Sequence, residues 1–144
     1  MLRTLSLAAL GVGLAAFAPS PAAAFAPDLV TAHIPFAFSV HNVTLPAGDY
    51  EILGVSDVDR DALEIRSADG RHAVVFLSHE SRAGLPGTTP ELVFDRYGSL
   101  MFLHAIRLPE ESGAALNPSR SELQAARSVS SSPSPQSVTP KGTN

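Results

Sequence analysis

Turn signals interrupt this chain so often that long helices are excluded from its middle. Leu45-Pro46-Ala47-Gly48, Asp69-Gly70 and Gly98-Ser99 stand between short apolar runs, and each favours reversal of the backbone. Pro46 presets φ for the second position of a type I turn, and Gly48 is expected to supply the left-handed residue of a G1 bulge. The result is a hairpin or a tight corner. Asp69-Gly70 favours a type I′ hairpin and Gly98-Ser99 a type II′ hairpin.

The runs between these turns have strand periodicity. Ile34, Phe36, Phe38 and Val40 alternate with Pro35, Ala37, Ser39 and His41, as one buried strand face requires. Pro35 cannot donate to a ladder, so this strand starts there, lies on an edge or carries a bulge. Tyr50 and Ile52 share one face, with Asp49 and Glu51 on the other. Leu63 and Ile65 resume the alternation. The unbroken apolar run 74–77 reads as a central strand covered on both faces. Near the end, Ser119 and Glu122 form a capping-box pair ahead of Leu123 and Ala126, predicting a short helix docked on a sheet. The fold class is all-β: an antiparallel β-sandwich or small barrel of six to seven strands with a short C-terminal helix. Phe36, Phe38, Phe76 and Phe94 are the expected core aromatics.

The two ends differ from the middle. Met1-Leu2-Arg3, an apolar run of about 13 residues and the small residues Ala22 and Ala24 match a secretory signal segment, too short to span a bilayer. Residues 1–24 are therefore expected to be removed, leaving a β domain at 25–127 and no membrane span in the mature form. The Ser/Pro-rich segment 128–144 offers little apolar surface to offset ordering entropy and is expected to be disordered. The chain contains no cysteine, so the exported fold must be held by its core alone, which leans toward a bacterial envelope. Net charge is −4, becoming −5 once Arg3 is lost, and there is no run of Lys or Arg. Nucleic acid is thus not an expected partner.

The segments "IPFAFSV", "LPAGDYEI", "SADG" and "LVFDRYGSLMFLHAI" together resemble an uncharacterised family of small exported bacterial all-β proteins. Its motifs are "PF.F.V", "LPAG.Y", "S.DG" and "F.RYG...FL". The resemblance covers residues 34–106 and implies an exported β domain without implying a reaction or ligand.

Few residues have spacing that suggests chemistry. Asp57, Asp59 and Asp61 occupy the first, third and fifth positions of a calcium-loop pattern, but Ala62 and Ala68 stand where its glycine and bidentate glutamate belong. A solvated acidic loop fits them better. The five histidines, His33, His41, His72, His79 and His104, lack metal-ligand spacing. Only convergence in the fold, of His72 or His79 with His104, would join any of them at a metal. No nucleophile elbow is present, and the carboxylate pairs Asp49/Glu51 and Glu110/Glu111 imply no cleft. Arg96 and Tyr97 flank the last hairpin tip and, with His104, are the candidate binding residues. Arg96 is expected to reach Asp49 or Glu51, or to line a polar pocket. No cofactor is expected. The favoured reading is a non-enzymatic exported domain that binds or supports an envelope or extracellular partner. The alternative is a small hydrolase-like enzyme with its site between residues 82–90 and the last hairpin.

Overall fold

The computed structural model describes residues 30–55, 61–81, 90–108, 113–129 and 133–140. In chain order these form β1 (Val30–Ile34), β2 (Phe38–Val40), β3 (Val43–Leu45), β4 (Gly48–Gly54), β5 (Ala62–Ser67), β6 (Ala73–Leu77), β7 (His79–Ser81), β8 (Glu91–Tyr97), β9 (Leu100–Arg107), β10 (Gly113–Ala115), α1 (Arg120–Ser128) and β11 (Ser134–Val138). The first sheet has the order β1-β4-β5-β6 and the second β11-β8-β9-β10-β7, with β2 joining β9 and β3 joining β2. The fold is a β-sandwich. Neither sheet closes into a barrel among the described residues. The strand count exceeds the sequence expectation because several runs break into pieces of three residues.

Alternation builds the interior. Ile34, Phe38, Val40, Leu45, Tyr50, Ile65, Leu92 and Phe94 are fully buried between the sheets, and each large side chain contributes about 2–3 kcal/mol on leaving water. Phe94 meets Phe36 and Phe38 edge-on at 5.2 and 5.5 Å, and Phe38 meets Tyr50 in the same way at 5.2 Å. Phe36 is only partly buried at the margin of this cluster.

The run 34–40 is not one strand. β1 pairs with β4 in the first sheet, while β2 pairs with β3 and β9 in the second. Pro35 lies in the gap, where no ladder hydrogen bond is asked of it. Inward residues remain inward through the crossing because the chain passes from one layer to the other around the same core. The segment after β3 does the reverse, so the "LPAG" turn is a corner between sheets and not a hairpin. Gly48 does not take the left-handed conformation expected of it.

Two other turns can be compared with expectation. Gly98 has φ of +65° while Ser99 stays in the negative region, as a type II′ turn requires. Gly70 has φ of +70° but Asp69 does not share it, so the β5–β6 turn is not type I′. It is a five-residue connection, 68–72, in which Gly70 N–H donates to the Ser67 carbonyl at 2.9 Å. The Asp69 carboxylate fixes it, accepting from Ser67 Oγ at 2.6 Å and from the Arg71 amide at 3.0 Å.

β6 corrects the expectation of a central strand. Among the described residues it is an edge strand paired only with β5, and Val75 and Leu77 are 61% and 64% exposed on its outer face. Consecutive apolar residues here fill only one face, through Val74 and Phe76. The tail also departs from expectation. Residues 134–138 are ordered as β11, whose backbone pairs with β8 from Ser134↔Arg96 to Val138↔Leu92. Val138 packs against the core and Ser137 hydrogen-bonds Glu91, so backbone pairing supplies what the polar composition lacks. Pro135 is tolerated because β11 is an edge among the described strands.

The helix follows its cap. Ser119 Oγ accepts from the Glu122 amide at 3.2 Å, and the Glu122 carboxylate accepts from the Ser119 amide in return, completing the capping box. α1 covers the outer face of the second sheet with Ala125, Ala126 and Val129 against Tyr97 and Phe102. Leu123 points outward and is 46% exposed. Ser121 Oγ donates to the His41 carbonyl at 3.2 Å, tying the helix start to the β2–β3 tip.

Candidate functional site

The sequence candidates divide between opposite sides of the second sheet. Arg96 lies on the same side of β8 as Leu92 and Phe94 but beyond the end of the packed interior, exposed, with its Nε donating to the Gly98 carbonyl at 2.9 Å. It reaches neither Asp49 nor Glu51. Those carboxylates point to the outer face of the other sheet, where register supplies nearer partners. His33 faces Asp49 across β1–β4, with Nδ1 to Oδ1 at 2.8 Å. Arg66 faces Glu51 across β4–β5, with Nη2 to Oε2 at 3.1 Å.

Tyr97 and His104 do come together, on the helix side. A bulge in β9 sets this arrangement. Val93 pairs with Ala105 and Phe94 with Leu103, leaving His104 as the extra residue, its carbonyl accepting from the Leu116 amide at 2.8 Å. The bulge changes the parity of β9, so Leu103 and Ile106 both face the interior. His104 Nδ1 approaches Asp95 Oδ2 at 3.2 Å, and Tyr97 hydrogen-bonds the buried carboxyl of Glu122. Burial, reinforced by the neighbouring Asp95 charge, pushes Glu122 above the usual carboxylate range. The Tyr97 phenol is likewise pushed up, first by burial and then by Glu122. These groups satisfy one another beneath the helix and anchor it to the sheet.

A concave surface lies at the other end of the first sheet. Pairing of Tyr50 with Ser67 brings the corner at 46–50 against the turn at 67–72, and the Ala68 amide donates to the Asp49 carbonyl at 2.9 Å. Between them is a hollow of about 380 Å³ bordered by Pro46, Asp49, Tyr50, Asp69, Arg71 and His72. Its framework is rigid. The Tyr50 ring is buried, and its hydroxyl donates to the Pro46 carbonyl at 2.7 Å. Burial and the Asp69 charge hold that phenol above its usual range, so it remains a donor.

The charged rim is loosely committed. The Ser67 hydroxyl and the Arg71 amide hold the Asp69 carboxyl below its usual range, so it is ionised at neutral pH. Arg71 Nε is 3.6 Å from Asp69 Oδ2, and the Arg71 side chain is 81% exposed. Exposed pairs of this kind add little to stability, because solvent screens them. A ligand carboxylate can therefore take the guanidinium at little cost in internal stability, and a hydroxyl or ammonium can approach Asp69 Oδ2, the oxygen that the turn's hydrogen bonds leave. A volume of this size lies within the range of small-ligand sites, roughly 300–1,000 Å³, although its rim is more polar than most.

Two of the calcium-pattern residues, Asp57 and Asp59, lie outside the described residues, as do 82–89 of the proposed loop site. Asp61 is described, and its carbonyl accepts from the amide and hydroxyl of Ser78 at 2.8 and 3.1 Å. Among the described residues no three His, Cys, Asp or Glu side chains are placed to hold a metal ion, and no helix is long and apolar enough to cross a membrane. The signal segment also falls outside the described residues. Sequence reading treated the "LPAG.Y" and "S.DG" stretches as separate turns and missed Asp69, Arg71 and His72 as a rim. The available signal was their joint position at matching ends of consecutive strands. Comparison with protein-family models, curated proteins and solved structures returns no match.

Proposed function

We propose that this chain is an exported, non-enzymatic β-sandwich that acts as a binding module of the bacterial cell envelope, in keeping with the small exported family its motifs resemble. The hollow between the corner and the 67–72 turn carries the reading: a rigid floor with an exposed cation and carboxylates on its rim. That chemistry suits a polar ligand bearing both a carboxylate and hydroxyl or amine groups, such as a soluble cell-wall glycopeptide. The enzyme alternative gains no comparable support: residues 82–89 of its loop lie outside the described residues, and the candidate residues Arg96 and His104 lie on opposite sides of the second sheet.

The test is a thermal-shift screen of the protein, as recovered from an exporting host, against cell-wall fragments, glycans and peptides. A binder at a hundredfold excess over Kd adds about 2.7 kcal/mol, raising Tm by roughly 10 °C for a domain of this size. Arg71→Ala is expected to abolish the shift while leaving the unliganded Tm nearly unchanged, because its side chain is exposed. Multiple-turnover chemistry on a fragment, or a blank screen across the whole panel, would overturn the reading.

A further inference from the structure

The β6 edge of the first sheet, unpaired among the described residues, has a polarity that register defines. Ser67 N–H donates to the His72 carbonyl at 2.8 Å and Ser78 N–H to the Asp61 carbonyl at 2.8 Å. These bonds fix the hydrogen-bonded pairs of the β5–β6 ladder, with Val74 and Phe76 turning their backbone groups toward β5 at Ile65 and Leu63. Ala73, Val75 and Leu77 therefore turn their N–H and C=O groups the other way, where no strand pairs with them among the described residues. The same three side chains lie on the outer face, exposed to solvent. Natural edges are usually protected by a charge, a proline or a bulge. The sequence AVVFL has no charge or proline, and the β5–β6 register runs without a shift.

We infer that β6 pairs antiparallel with β6 of a second copy about a two-fold axis at Val75, joining two four-stranded sheets into one of eight. Only this register places all three free positions opposite free positions: Ala73 against the partner's Leu77, Val75 against the partner's Val75, and Leu77 against the partner's Ala73. Six backbone hydrogen bonds form. Small stands opposite large at both ends, with a β-branched pair at the centre, a combination that packs well across antiparallel strands. The outer-face charges nearest the seam are Glu64, beside Val75, and Arg66, beside Ala73, both one strand away on β5. Across the new seam the two Glu64 residues are three strand spacings apart, about 14 Å, beyond the Debye length of about 8 Å at physiological salt. No like-charge contact opposes the pairing. An unrelated extended peptide could use the same hydrogen bonds but has no reason to match this size pattern.

Sedimentation velocity on wild type, from about 5 to 500 μM because a one-strand interface is at the weak end of the range, is expected to show a concentration-dependent monomer–dimer equilibrium. Val75→Pro removes only an edge-facing N–H, leaving the ladder to β5 intact, and should be monomeric throughout. Val75→Lys places like charges at the two-fold axis and should weaken dimerisation at least tenfold, with recovery at high salt. It provides the test if the proline variant fails to fold by circular dichroism. Wild type that stays monomeric to 500 μM would overturn the inference, as would a dimer that survives Val75→Lys unchanged.

Discussion

Replacing Tyr50 by Phe isolates the bond that shapes the corner. The ring is 1% exposed and sits edge-on to Phe38, so the phenyl ring keeps the packing and only the hydroxyl is lost. Its acceptor, the Pro46 carbonyl, is part-buried at the rim, where water can replace the donor. The loss is then a typical net hydrogen bond of about 1 kcal/mol, without the larger penalty of a sealed orphan. Tyr50→Ala also removes the ring and should cost about 4 kcal/mol, much of the 5–15 kcal/mol available to a typical domain. Urea unfolding followed by circular dichroism reads both, with m unchanged for Phe if the native state is intact. Because burial raises the Tyr50 pKa above 10.0, the folded state favours the protonated phenol. The associated stability is present below pH 10 and is lost as pH rises through the folded value, a loss that Tyr50→Phe should lack. A Phe variant as stable as wild type, or one as damaged as Ala, would refute this account of the corner.

Glu122→Gln should stabilise the fold at pH 7 to 8. The raised pKa means wild type is most stable below the ordinary value of 4.5 and loses stability as pH climbs through the folded value, so the gain should vanish near pH 4 in urea melts run across pH. His41 has φ of +53°, a region that costs a side chain about 1 kcal/mol or more. His41→Gly is therefore expected to be neutral to about 1 kcal/mol stabilising in thermal melts, allowing for its lost contact with Phe76; clear destabilisation would contradict local strain. Gly113→Ala would place a Cβ 2.7 Å from the Ile106 carbonyl oxygen, and should cost about 1–3 kcal/mol by displacing β10.

Period-two alternation made the strand faces legible, and the Ser119/Glu122 spacing located the helix start. What alternation does not encode is which sheet a run joins. The inward phase continues across Pro35 while the chain changes layers, so 34–40 read as one strand. Edge and centre were equally hidden in 74–77, because an apolar outward side chain has the same identity whether or not a neighbour covers it. The bulge at His104 depends on pairing with β8, and ordering of 134–138 depends on backbone bonds that composition does not reveal. The site shows the same division. Each turn was legible alone, while the partners of Asp49 and Glu51 come from register across separations of 16 and 15 residues. Arg96 was expected to reach Asp49 or Glu51 or a polar pocket, but the packed side of β8 ends before it and its guanidinium turns back to the Gly98 carbonyl.

The proposed binding surface is tested most directly by titrating the ¹⁵N-labelled protein with soluble cell-wall glycopeptides and following the amide spectrum. Saturable shifts confined to residues 46–50 and 67–72, absent in Arg71→Ala, are the expected result. Shifts centred elsewhere on the sandwich, or conversion of the glycopeptide during the titration, would contradict a non-enzymatic binding site in the hollow.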